Sequence, residues 1–488
     1  MSPRALAART LCVGFAGASP DEAPLDALRA LGPGGLILFA RNATSRERTA
    51  RLVEAVRAAS GAAFVAIDQE GGRVARLRAD AVEIPTMMAL GATADPGLAE
   101  RAGAQIGRDL RAIGVDLDFA PVVDLALVAQ NTVIGARSFG SDPDRVGSMA
   151  AALARGLRRS GVAATAKHFP GHGATAIDSH LALPVIDVDA ATLRSREFVP
   201  FRACIAAGVD AVMVAHIVAR AFDCDRPASL SRVIVSDLLR HELGFAGAVF
   251  TDCIEMKAVA DSIGSAPAAV SALAAGVDGV IVSHHLEVAK AIVDEIVRAL
   301  GDGRLAPARL EEAASRLERL AGKGGVGAQD DPSIGIEIAG KAVTVLRGSV
   351  VLEADAATIV SFEDSTADGV SDAERASLNE ALRRRGIKSE IMRVPLDPAP
   401  DDLRLLLSVV GGLGERAFVV VTRRADLHPA QRTAVDALVR ARPHAIVISA
   451  REPYDAALFE GAESVACIYG DQAVSFDGLA ELMAVRVR

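Results

Sequence analysis

The sequence predicts an α/β protein: a TIM-type (β/α)8 barrel over residues 1–322, a linker at 323–333, and a smaller α/β sandwich domain with a mostly parallel sheet over 334–488. Three observations predict it. A chain of 488 residues exceeds what one core ordinarily serves, so two or three domains are expected. One arrangement recurs through the first two-thirds: a short β-rich apolar run, a Gly- or Asp-bearing loop, then an Ala/Leu/Arg stretch of helical periodicity. The runs are apolar on both faces, which suits parallel strands covered by helices. A doubly wound open sheet is the alternative for the same pattern.

The runs are "LCVGFAG" (11–17), "GLILFA" (35–40), "FVAIDQEGG" (64–72), "DLDFAPVVD" (116–124), "ATAKHFPG" (164–171), "AVMVAHI" (211–217), "GAVFTD" (247–252) and "GVIVSH" (279–284). Eight of them point to a closed barrel. The stretch "KGGVGAQDDPS" (323–333) follows a charged helical segment, "LEEAASRLERLAG", and its Gly, Asp and Pro read as a linker. Beyond it, "TIVSF", "SEIMRV", "AFVVVTR", "HAIVISA" and "SVACIYG" alternate with helical stretches such as "DAERASLNEALRRRG". That alternation gives the second α/β domain. It contains no GxGxxG or P-loop, so a structural or interface role is expected there.

Composition narrows the function. With 51% apolar and 24% charged residues the chain is of the soluble globular class. A net charge of −9 offers no electrostatic reason to bind nucleic acid or an anionic membrane, which leaves a small substrate. Five scattered cysteines without a CxxC pair argue against a disulfide framework or zinc ribbon and fit a reducing compartment. The N-terminal run is broken by Arg9 and Gly14, and no run reaches the roughly 18 residues of a membrane span. A cytoplasmic protein without a cofactor is expected, and the sequence is silent on oligomeric state.

In a barrel the chemistry sits at the C-terminal ends of the strands. Asp68, Asp124, Lys167, His168, His216, Asp252 and His284 fall at or near those ends. Packing explains them poorly, because buried unpaired charge is costly. The richest stretch is "KHFPGHGATAIDSH" (167–180). His168 and His172 would share a face only on a helix, and Pro170 and Gly171 oppose one, so no metal is expected. P-loop spacing is absent, and no Ser or Thr follows Lys167.

What remains is a loop after the fifth strand that ends in Asp178 and His180. A carboxylate near an imidazole fixes its tautomer and favours its protonated form, as a general acid or base requires. A surface pair is the plainer alternative. In "GAVFTDCIEM", Asp252 ends a strand and suits nucleophilic attack at an anomeric carbon. It could equally cap a following helix, as could Thr251. In "IDQEGGRVARL", Asp68 ends the third strand, paired glycines allow close approach, and Arg76 lies eight residues on. The two either hold sugar hydroxyls or form a structural ion pair. Arg137, in "NTVIGARSFGSDP", supplies a further donor.

Taken in order, "DQEGGRVARL", "IGARSFGSDP", "KHFPGHGATAIDSH" and "TDCIEM" resemble glycoside hydrolase family three, in its β-N-acetylglucosaminidase branch, often met in peptidoglycan recycling. The resemblance covers about residues 10–320. It implies that Asp252 is the nucleophile and His180 the acid/base, with Asp178 as its partner. It implies that Asp68, Arg76, Arg137, Lys167 and His168 hold the terminal sugar, and that Met256 packs against the sugar or the core. His216 and Asp124 are placed behind them. Three departures stand out: Ala174 where the branch often has aspartate, Cys253 directly after Asp252, and no asparagine just after Asp124.

The implied reaction is retaining, exo-acting hydrolysis of terminal β-linked N-acetylglucosamine through a covalent intermediate. A neutral histidine repels an anionic acceptor less than a carboxylate would, so a phosphorylase is the alternative. A non-catalytic sugar-binding barrel is a third reading, which loss of Asp252 or His180 would favour; both are present. The chain has no Trp, and its tyrosines, Tyr454 and Tyr469, lie in the second domain. Only Phe is left as a sugar platform in the barrel, so a pocket for one terminal residue of a short glycan or muropeptide is expected.

Overall fold

The computed structural model of the chain describes residues 1–175, 183–322, 325, 329–354, 356–364, 376–414 and 416–484. Its first eight long-sheet strands are β1 (Leu11–Val13), β2 (Gly35–Leu38), β3 (Phe64–Ile67), β4 (Leu117–Asp118), β5 (Ala163–Phe169), β6 (Ala211–Val214), β7 (Ala248–Cys253) and β8 (Gly279–Val282). They pair in sequence order, and β8 closes on β1. Every pairing is parallel. Each expected run holds one strand, and the barrel replaces the open-sheet alternative. Several strands are shorter than their runs because the last residues turn off into loops. After β3, for example, Gln69–Gly71 and Val74–Ala75 form a separate hairpin.

The barrel interior is filled rather than hollow. Phe64, Phe119 and Phe250 meet edge to face, with Phe250 centroids 6.0 Å from Phe64 and 5.3 Å from Phe119. Ala66, Ala163, Ala211 and Ala248 on neighbouring strands leave room for these rings. Glycine is required where the rings press on a strand. A Cβ at Gly35 would lie 2.1 Å from the Phe64 ring, and one at Gly279 2.4 Å from the Phe250 ring. Leu317 and Leu320, at the end of the helix Pro307–Glu318, join the same cluster where β8 begins. The N-terminal end of the barrel is thereby stoppered, and an opening is left to the other end.

The outer helices are set by their caps. Asp95 accepts from the amides of Gly97 and Leu98 to start Pro96–Ala112, and Asp142 accepts from Arg145 to start Pro143–Arg159. Proline at the first turn suits both starts. No described helix is long and apolar enough to cross a membrane.

A second sheet follows: β9 (Thr344–Arg347), β10 (Ala356–Glu363), β11 (Lys388–Pro395), β12 (Ala417–Thr422), β13 (Ile446–Ser449) and β14 (Ser464–Cys467). Its spatial order is β9-β14-β13-β12-β10-β11. Strands β10 to β14 are parallel, and β9 lies antiparallel at the edge. Sequence reading finds the five parallel strands and misses β9, whose mostly exposed residues give no apolar run. Separate apolar clusters cover the two faces of this sheet, which makes it a sandwich.

The helix Ile334–Ala342 sits between the two sheets, with Ile334 and Ile338 in the barrel's core and Ala339 against Gly478. The C-terminal ends of β12, β13 and β14 face the barrel. Arg424 donates to the Ala129 carbonyl at 2.6 Å, Glu452 accepts from the Ala136 amide at 2.9 Å, and the Tyr469 carbonyl accepts from the Thr86 hydroxyl at 2.5 Å.

Candidate active site

A cavity of about 520 Å³ opens at the C-terminal end of the barrel strands. That volume suits a small ligand. Asp68, Arg76, Arg137, Lys167, His168, Asp252 and Met256, the described residues expected at the site, all line it. Asp178 and His180 lie outside the described residues. A second cavity of about 610 Å³ lies behind the hairpin, between residues 69–84 and the second domain, and contains no barrel strand-end carboxylate.

The cavity is built on a buried ion cluster. Lys167, on β5, places Nζ 2.6 Å from Asp68 Oδ1 and 2.6 Å from Glu70 Oε1. Arg137 grips both oxygens of Glu70 at 2.8 Å. Burial pushes the Glu70 carboxyl up, but Arg137 and Lys167 together hold it well below the usual carboxylate range. Burial likewise pulls Lys167 down, and Asp68 and Glu70 more than offset it, so the ammonium keeps its proton. Of the two readings open for Asp68 and Arg76, a shared grip on a sugar or an ion pair with each other, both residues reach the cavity, where Asp68 bonds Lys167 and Arg76 places its guanidinium 5.9 Å from the Phe39 ring centroid. Glu70 turns inward from the hairpin and brings Lys167 and Arg137 to the same floor.

Asp124 organises the start of the 167–180 stretch. Its Oδ2 accepts from the His168 amide at 3.2 Å and meets His168 Nδ1 at 2.6 Å, while Oδ1 accepts from the His172 amide at 2.6 Å. Burial raises its carboxyl, but His168 and these hydrogen bonds hold it below its ordinary value. An ionised carboxylate only accepts, so His168 Nδ1 carries the proton and the tautomer is fixed. His172 acts here through its backbone, whose carbonyl also accepts from Asn131 Nδ2 at 2.9 Å.

At the end of β7, Asp252 Oδ1 accepts from the Cys253 amide at 2.7 Å. Neither expected cap forms. The helix after this strand is only Lys257–Ala260, with Met256 at its N-cap, and Thr251 Oγ1 accepts from the Ile281 amide at 3.2 Å. His216 lies beneath, fully buried, between Ser229 Oγ at 2.7 Å and the Cys253 carbonyl at 3.0 Å. Burial lowers its pKa, so the ring is neutral. Nε2 must then donate to the carbonyl and Nδ1 accept from Ser229. Burial also pushes the Cys253 thiol up to about 11, which keeps it protonated and unreactive beside Asp252.

Aromatic and charged groups form the rim. Phe39 stacks on His284 at 5.6 Å, and the Arg41 guanidinium lies 4.5 Å from its centroid. Arg41 donates to the carbonyls of Phe15 at 3.0 Å and Ser283 at 2.6 Å. Glu255 accepts from the amides of His284 at 2.8 Å and His285 at 3.2 Å. These groups join the loops after β1, β2, β7 and β8.

Sequence reasoning missed Glu70, Glu255, Phe39 and Arg41, and also Asp118, a fully buried carboxyl on β4. Asp118 Oδ1 accepts from the Gln69 amide at 2.9 Å, and burial pushes its pKa well above the ordinary value. Glu70 could have been inferred by charge balance, since Lys167 and Arg137 together need more than Asp68. Glu255 and Arg41 left no signal beyond their position just past strand ends.

Comparison with known proteins agrees with this geometry. The family model for the glycosyl hydrolase family 3 N-terminal domain matches residues 15–320. A beta-hexosaminidase of Stenotrophomonas maltophilia is 41% identical over 325 residues, 65% of this chain and 92% of that protein. A glycoside hydrolase family 3 beta-N-acetylglucosaminidase from a Paenibacillus species superposes with a TM-score of 0.91 at 32% identity, covering 99% of this chain and 96% of the other. A beta-glucoside phosphorylase superposes at 0.82 with 20% identity, covering 100% of this chain and 92% of the other, a likeness of fold alone. With the match running over residues 15–320, which hold seven of the eight barrel strands and the residues of the strand-end cavity, the chain belongs to glycosyl hydrolase family 3.

Proposed function

We propose that the protein is a retaining, exo-acting β-N-acetylglucosaminidase acting on short glycans or muropeptides, with residues 1–322 as its catalytic barrel. One observation carries the reading: Asp252 shares a single closed-ended cavity with Lys167, His168, Arg137, Arg76 and Asp68. A carboxylate beside a floor of buried ionic donors suits a polyhydroxylated ring whose anomeric carbon sits over the carboxylate. The names of the similar proteins supply the N-acetylglucosamine.

In this mechanism a carboxylate oxygen of Asp252 bonds to the anomeric carbon as the bond to the leaving oxygen breaks. Protonated His180, supported by Asp178, gives its proton to that oxygen. Neutral His180 then takes a proton from water, whose oxygen displaces Asp252, so two inversions retain the configuration. The Cys253 amide fixes the plane of the Asp252 carboxylate, and His216 fixes the next carbonyl. His168, held by Asp124, offers the sugar one defined tautomer. Phe39 and Phe119 supply the aromatic rings of the cavity lining, and in a chain without Trp this suits a short substrate rather than a long polysaccharide.

Trapping tests the reading. A 2-deoxy-2-fluoro glycosyl fluoride should leave a mass adduct on the peptide that contains Asp252. An adduct on another peptide would move the nucleophile. Sugar 1-phosphate as the main product at millimolar phosphate would replace hydrolysis by phosphorolysis.

A further inference from the structure

We infer that the second domain completes the sugar site: Glu452 and Arg424 are positioning residues that clasp the 129–137 segment and thereby hold Arg137 and the His172 loop in place. The inference rests on the reading of the barrel cavity as a sugar site.

Glu452 follows β13 and is 2% exposed. Its Oε1 accepts from the Ala136 amide at 2.9 Å. Gly135, with φ +40°, leaves it the space, since a Cβ there would lie 2.3 Å from that oxygen. Arg424 follows β12 and places Nη1 3.5 Å from Glu452 Oε2, while its Nη2 donates to the Ala129 carbonyl at 2.6 Å. Asp426 holds the same guanidinium through two bonds of 2.9 Å. One carboxylate and one guanidinium from the second domain therefore grasp a barrel loop at both ends, Ala136 and Ala129.

What lies between and beside those two points makes the clasp functional. Asn131 accepts from the Ile134 amide at 3.0 Å and donates to the His172 carbonyl at 2.9 Å, tying the segment to the loop that leads from Lys167 toward His180. Arg137 is the residue after Ala136 and carries the paired bonds to Glu70, which in turn meets Lys167. The path from Glu452 to the cavity floor thus has three hydrogen-bonded or ionic steps, Glu452 to Ala136, Arg137 to Glu70 and Glu70 to Lys167, joined by the Ala136–Arg137 peptide link. Ordering a loop costs conformational entropy, and a loop ordered before substrate arrives spares binding that cost.

Two of the other described contacts between the domains do not share this reach. Thr86 with Tyr469 and Glu83 with the Val474 amide fall on a stretch that lines no part of the sugar cavity. Glu83→Ala therefore serves as the control for mere loss of domain contact.

The experiment compares Glu452→Ala, Glu452→Gln and Glu83→Ala by amide hydrogen exchange without substrate and by kinetics on an aryl β-N-acetylglucosaminide. Exchange across 129–138 should speed up about tenfold in Glu452→Ala. Its KM should rise about tenfold while kcat changes less than about threefold. Glu452→Gln should restore most of both, because its amide oxygen can still accept from Ala136, and Glu83→Ala should move neither. Unchanged exchange in Glu452→Ala, or the same changes in Glu83→Ala, overturns the inference. If the wild type released no N-acetylglucosamine, the function reading would fail while the exchange result still decided the clasp.

Discussion

The carboxyl ends of the barrel strands and those of the second sheet carry similar residues and put them to different use. Both sets follow the rule that parallel strands gather polar groups at that end. In the barrel, Asp68, Lys167, His168 and Asp252 surround an open volume of about 520 Å³. In the second sheet, the crevice between β10 and β12, where the strand order reverses, is filled by Arg423. Its guanidinium donates to Ser361 Oγ at 3.0 Å and the Phe362 carbonyl at 2.5 Å, and pairs with Asp471 at 3.1 Å. Arg451 meets the same Asp471 at 2.8 Å. Burial raises the Asp471 carboxyl, and Arg451 and Arg423 bring it far below its usual range. Strand topology therefore prepares two candidate sites, and the chain fills one of them with its own side chains.

The contrast is broken most severely at Lys167. Lys167→Met keeps the length and removes the charge that faces Asp68 and Glu70, leaving the half-buried Asp68 and the buried Glu70 with Arg137 alone. We expect a loss of about 3–5 kcal/mol in denaturant unfolding and at least about a hundredfold in kcat/KM. A variant that kept its kcat/KM would show the floor to be structural only. The counterpart in the second sheet is Asp455, whose carboxylate accepts from Ser449 Oγ, from Thr422 Oγ1 at 2.8 Å and from the Ala425 amide at 3.1 Å. Asp455→Ala strands those donors and should cost about 2–3 kcal/mol, with kcat/KM of the folded protein within about threefold of wild type. A larger kinetic loss would mean that the two strand-end clusters are less separable than their geometry suggests.

The same contrast explains what was legible in the sequence. Strands buried on both faces announce themselves as apolar runs, so the eight barrel strands and five of the second sheet could be read directly. Strand β9 could not, because Val345, Leu346 and Arg347 are exposed at an edge. At the site, residues at strand ends were legible by position: Asp68, Lys167, His168 and Asp252 need only the barrel rule. Arg76 and Arg137 came from motifs. Glu452 was not legible and Glu70 only through the charge balance of Lys167 and Arg137, since each acts by meeting a charge or amide supplied from far along the chain, and spacing holds no record of such a meeting. Departures from the family pattern were legible as departures only. The geometry adds that Cys253 stays a protonated thiol beside Asp252 and that its amide orients that carboxylate.

The smallest expected effect concerns Asp118, which lies under the barrel floor as Asp455 lies under the ends of the second sheet. Burial raises the pKa of both carboxyls in the folded protein. Asp455 has two hydroxyls and an amide to answer it, whereas Asp118 Oδ1 accepts from the Gln69 amide at 2.9 Å. A folded pKa above the unfolded one means that the native state binds the proton more tightly. Each group therefore favours folding most below its unfolded pKa, and the benefit is lost as pH rises from there through the folded pKa. Asp118→Asn keeps the acceptor for Gln69 and removes the ionisation, so it should gain about 1 kcal/mol at pH 7, or roughly 2–4 °C in Tm. The gain should shrink towards pH 4, where the native carboxyl and its unfolded counterpart approach the same protonated state. A Tm difference independent of pH would assign the effect to packing, and a lower Tm at pH 7 would mean that Asp118 is ionised and held by Lys167, which would extend the barrel's ion cluster one layer deeper.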